Sequence, residues 1–130
     1  MLLKTNLTMK HKQQLNVLGK PLEVCSFFPM TGYKRTGSCE MSSGDDGRHV
    51  VCAVVTDEFL QYSYSQGNDL ITRRPGFWGL NEGDHWCLCR DRWLQAYRKD
   101  PKFAPPIIPE ATHQSLLKYI SLEELKPFFI

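Results

Sequence analysis

The sequence has no apolar run near the roughly 20 residues that cross a bilayer, so these residues hold no membrane-spanning helix. It also lacks a Walker loop, a G-x-G-x-x-G turn, an H-E-x-x-H helix and a G-x-S-x-G elbow. The common nucleotide, zincin and hydrolase chemistries lose their usual sequence support with them. A strong excess of one charge is missing too. The formal net charge is +2, and Lys4, Lys10 and Lys12 sit in residues 1–14 without a single acid. The remaining thirteen lysines and arginines face fourteen acids. A near-neutral body argues against nucleic acid as the main partner, because phosphate contacts dominate that affinity. Leu2 and Leu3 open the chain, but Lys4, Asn6 and Lys10 break up any signal-peptide core. Five cysteines is an odd number, which suits a reducing compartment better than a disulfide framework. The expected location is cytoplasmic.

What is present fits one α+β domain. At 130 residues, with 42% hydrophobic and 23% charged residues, the chain can bury a core without metal or disulfides. Residues 1–14 are expected to form a flexible tail and 15–130 a single globular domain. Glycines and prolines between Asn16 and Gly47 predict loops and short strands, with Leu22–Phe28 as one strand. His49–Val55 is the clearest strand, β-branched and apolar on both faces. Thr56 should cap a helix that ends at Gly67. His85–Cys89 reads as a second strand and Asp91–Lys99 as a second helix. Pro105–Pro109 must be extended and confined to a sheet edge or a covering segment. Thr112 predicts a cap for a helix over His113–Ile120, and Ser121-Leu122-Glu123-Glu124 a capping box for a last short one. The expectation is a small, mostly antiparallel sheet with three or four short helices.

The densest chemistry lies in Gly83–Trp93, which holds Asp84, His85, Cys87 and Cys89. On a strand, His85, Cys87 and Cys89 would share one face. Residues i and i+2 are then about 7 Å apart, too far for two ligands of one tetrahedral zinc unless the backbone bends. Packing thiols, a zinc or iron site, and a redox or nucleophilic thiol all remain open. Cys25 and Cys39 lie in the loop-rich half and could approach each other or Cys87 and Cys89; Cys52, inside an apolar strand, reads as plain core. His113 sits at an expected helix start, where the dipole would lower its pKa. It could act as base, ligand or simple cap. His49 follows Asp45 and Asp46, which read as solvated loop acids. Asp57, Asn68, Asp69, Asp84, Glu110 and His113 all sit at element ends; if these ends converge, they form a polar pocket. Arg73 and Arg74 beside Phe77 and Trp78 could hold an anionic or planar ligand, or merely pin their loop.

With those residues in view, the chain resembles the domain-of-unknown-function 2237 family, small proteins found chiefly in bacteria with plant and protist members. The resemblance rests on Asn16-Val17-Leu18-Gly19, Thr31-Gly32, His49-Val50-Val51-Cys52-Ala53 and Thr56-Asp57-Glu58-Phe59-Leu60. It continues in Gly67-Asn68-Asp69-Leu70, Trp86-Cys87-Leu88-Cys89, Arg92-Trp93 and Glu110-Ala111-Thr112-His113. Family members tend to carry arginine in place of His85 and proline in place of Arg73. What the resemblance implies is attention to Cys25, Cys39, Cys87, Cys89 and His113 rather than to a reaction. Three functional classes follow. The first is a small binding or accessory protein with a polar pocket lined by cysteine and histidine, taking a small polar or anionic ligand. The second is a zinc or iron protein using Cys25, Cys39, Cys87, Cys89 or His113. The third is a small enzyme with a cysteine nucleophile.

Overall fold

The computed structural model describes residues 13–130. The tail expected over residues 1–14 falls mostly outside the described residues. Gln14 does not: its side chain donates to the Met41 carbonyl and accepts from the Met41 N–H. The fold is α+β. Strand β1 (His49–Val54) pairs antiparallel with β2 (His85–Cys89). Between them runs helix α1 (Asp57–Ser65); α2 (Arg90–Lys99) follows β2 directly, and α3 (Leu122–Leu125) lies near the end. Short 3-10 turns occupy Pro101–Phe103, Pro109–Ala111, Gln114–Lys118 and Lys126–Phe128.

The strand register follows from what must be buried. Val51 faces Leu88, Cys52 faces Cys87 and Ala53 faces Trp86. A register shift between His49 and Val51 leaves Val50 unpaired and puts His49 opposite Cys89. One side of this ribbon packs on α1 and α2 through Phe59, Leu60, Trp93 and Leu94. Trp93 is fully buried, so its indole N–H needs an acceptor and finds the Pro105 carbonyl at 3.0 Å. The other side is covered by the loop-rich segment before β1, where Cys25, Cys39, Cys52, Cys87 and Ala111 form a second buried cluster.

Two strands leave two open edges, and buried edge N–H groups need partners. The proline-rich segment borders β1: Val54 donates to Pro106, and Ile108 donates to Cys52. Its expected edge position is therefore observed. Hydroxyls complete the rest. Thr112 Oγ1 accepts from the Cys52 N–H, and Thr31 Oγ1 accepts from the Cys87 N–H.

Two expected elements differ. Leu22–Phe28 forms no strand; Glu23 bonds to Glu110, while Cys25 and Ser26 both bond to Gly37. The helix expected over His113–Ile120 is a 3-10 turn at Gln114–Lys118. Thr112 cannot cap it because its hydroxyl is spent on Cys52 and Ile108. His113 caps instead, its Nδ1 accepting from the Ser115 N–H at 3.0 Å.

Candidate functional site

Cys25 is bonded to Cys52, and Cys39 to Cys87. This corrects two expectations. Cys52 is not a bare core thiol, and the odd cysteine count reflects two bridges plus one free thiol, Cys89. The sulfurs of Cys25, Cys39 and Cys52 lie within 4.8 Å of one another, so the two bridges are neighbours in the core. So bonded, these sulfurs offer a metal no thiolate. Of the set Cys25, Cys39, Cys87 and Cys89, Cys39 and Cys87 are thus bonded, and the Cys25 sulfur lies within 4.8 Å of that of Cys39.

The polar residues at element ends fall into separate groups. Asp57 donates its N–H to Glu82, and Val55 is bonded both to Asp84 and to Gly83, so these two ends meet. Asp84 Oδ2 accepts from the Asn81 N–H and closes its own turn. Asp69 does the same for the N–H groups of Ile71 and Thr72. The hydrogen bond with Thr72 leads in holding its carboxyl below the usual range. Glu110 offers its carbonyl to Glu23 and to the Asn16 side chain. His113 is buried, and its N–H bonds to Val50. Burial, then Lys118, lowers its pKa, which favours the neutral ring. His113 stands against the β1 backbone, and His85 pairs with Val54 at the far end of the ribbon from Cys89.

Of these residues, Asn68 and Cys89 line one cleft, a cavity of about 470 Å³. That is ample for a small molecule. Its other walls come from Tyr33, Arg35, His49, Arg74, Phe77 and Trp86, and no aspartate or glutamate lines it. The loops explain the placement. Arg74 and Phe77 exchange backbone hydrogen bonds at 2.9 Å around Pro75-Gly76, with Gly76 at φ 79. This tight turn folds the Arg74 guanidinium over the Phe77 ring at 4.6 Å. Arg35 covers Trp86 at 5.2 Å from the opposite wall and donates to the Gly32 carbonyl. Neither guanidinium forms an ion pair with a carboxylate among the described residues. Arg73 instead lies over the exposed Trp78.

His49 is held from below. Asp45 Oδ1 lies 2.7 Å from His49 Nδ1, and Asp45 Oδ2 accepts the His49 backbone N–H at 2.9 Å. The Asp45 side chain is 1% exposed and the His49 side chain 38%. Tyr33 stacks near the imidazole at 6.4 Å between centroids. Gly47 makes room for the ring; a Cβ there would stand 2.7 Å from His49 Cε1. Arg35 and Arg48 adopt φ of 56 and 52, a left-handed conformation that costs energy outside glycine. One lines the cleft and the other precedes His49.

Sequence reasoning missed this group. Asp45 read as a solvated acid but is buried, and His49 and Cys89 are 40 positions apart until the strands pair. The available signal was an acid four residues before a histidine that opens a strand.

A model of the family described as an uncharacterized protein conserved in bacteria, DUF2237, matches residues 15–129. The chain belongs to that family. No curated protein matches it.

Proposed function

We propose that this family member binds a small anionic ligand with a planar part in the cleft between Arg35 and Arg74. The observation that carries this is the charge of the lining: two arginines that form no ion pair with a carboxylate among the described residues, Arg74 being held by the Thr72 and Asp69 carbonyls, and no acid in the wall. A concave site walled by low-dielectric protein concentrates such a field. The rings of Tyr33, Phe77 and Trp86 supply flat surfaces, and stacking on Trp86 and Phe77 holds both guanidinium planes before a ligand arrives. Guanidinium groups suit carboxylate and phosphate in particular. Zinc or iron at the buried cysteines would require both disulfides to be reduced, and we do not propose it.

The test is titration with inorganic phosphate and with benzoate, read by tryptophan fluorescence at low and high salt. Binding should weaken with salt. Arg35→Gln and Arg74→Gln should each cost on the order of tenfold in affinity, about 1.4 kcal/mol. Affinity unchanged in both variants, or no response to either anion, would refute the site.

A further inference from the structure

We infer that Cys89 is a nucleophile served by His49, with Asp45 as positioning residue, and that its substrate is a small anionic ester or thioester. This rests on the cleft being an anion site. Cys89 is the one cysteine not bonded to another. It is the ladder partner of His49 where β1 and β2 shift register, which sets the two residues opposite each other across the strands. Both residues line the cleft. Asp45 occupies Nδ1 of the imidazole and leaves Nε2 as the nitrogen free to exchange a proton with a thiol. A nucleophile, a base and a buried group orienting that base are the three parts of an activated thiol.

The position of the sulfur selects the reaction. Cys89 is the N-cap residue of α2, and its side chain makes no capping bond. The Arg90 N–H is taken by the Arg48 carbonyl, so the N–H groups of Asp91 and Arg92 are the first-turn donors left to take up charge on an attacked carbonyl oxygen. His49 Nε2 accepts the thiol proton as sulfur bonds to the acyl carbon, and the carbonyl π pair moves to oxygen. Collapse re-forms the carbonyl and breaks the bond to the leaving alkoxide or thiolate, which takes the proton from His49. Water then adds to the acyl-Cys89 thioester, losing a proton to His49. The acid product departs as Cys89 regains that proton. Arg35 and Arg74 hold the anionic end of the substrate.

Two activated esters test this: 4-nitrophenyl acetate, which is neutral, and mono-4-nitrophenyl glutarate, which is anionic. Nitrophenolate release is followed, and the acyl adduct is located by mass spectrometry after acid quench. Cys89 should be acylated faster than N-acetylcysteine under the same conditions. Its preference for the glutarate ester should exceed that of N-acetylcysteine by about tenfold. His49→Gln should slow acylation by about 100-fold or more. Cys89→Ser should form no thioester adduct. For Asp45→Asn, the ¹⁵N shifts of the His49 ring should report a changed tautomer, which lost stability alone would not produce. Acylation no faster than N-acetylcysteine overturns the nucleophile, whatever the variants do. If phosphate still binds in that case, the anion site stands alone. Equal acylation by both esters without phosphate binding overturns the anionic substrate and the anion site together.

Discussion

Thr31 and Thr112 show how much of this molecule rests on single side chains. Each hydroxyl satisfies the outward N–H of a strand cysteine, Cys87 or Cys52, where a third or fourth strand would otherwise lie. Thr31→Val keeps the shape and removes the acceptor, leaving the Cys87 N–H buried and unpaired. The expected cost is about 1–3 kcal/mol in urea unfolding. His113 gives a pH-dependent counterpart. Sequence reasoning expects its pKa to fall because of a helix start; it does fall, but burial is the main cause and Lys118 the second. A depressed histidine pKa means that the unfolded chain binds the proton first. Stability is then complete above the unfolded value of about 6.5 and is lost as pH falls through it toward the folded value. His113→Asn can retain an acceptor for the Ser115 N–H without titrating. Melting temperatures of the two proteins between pH 8 and pH 5, about the histidine range, should diverge, with the native protein losing more below about 6.5.

The cleft owes its shape to loops pinned at their ends. Gly79 has φ 80, and a Cβ there would collide with the Ile71 carbonyl. Gly79→Ala should destabilise by about 1–3 kcal/mol and weaken anion binding, because Arg74 and Phe77 lie on the loop it closes. Denaturation and fluorescence titration of the same sample check both. Elements governed by local pattern were legible in the sequence. The β-branched run gives β1, Thr56 caps α1 through the Phe59 N–H, and Ser121 caps α3 through the Glu124 N–H. Pro105–Pro109 lies on the edge its missing N–H groups demand. Elements governed by distant partners were not legible. The helix expected after Thr112 is truncated because Cys52, 60 residues away, claims the cap. The Asn16 side chain likewise donates to the Glu110 carbonyl, 94 residues away. Asp45, His49 and Cys89 come together only through the β1–β2 register, which no local periodicity encodes.

For the whole molecule, the disulfides compensate for a small sheet. A two-stranded ribbon is at best marginal alone, yet the loop-rich half must stay over its second face to build the Tyr33 and Arg35 wall. Cys25–Cys52 and Cys39–Cys87 staple that half to β1 and β2 across separations of 27 and 48 residues. Closing loops of that length in the unfolded chain is worth about 3–4 kcal/mol each by the chain-entropy estimate. Reduction should therefore lower the melting temperature substantially. It should act on the cleft as well, since Tyr33 and Arg35 lie between two of the stapled cysteines. The thiol count gives the direct check. Native protein unfolded without reductant should expose one thiol to Ellman's reagent, at Cys89, and five after reduction. Five thiols without reduction would remove both bridges, and the wall that they hold would need another support. A count of one, with anion binding lost on reduction and restored on reoxidation, would tie the cleft to the bridges.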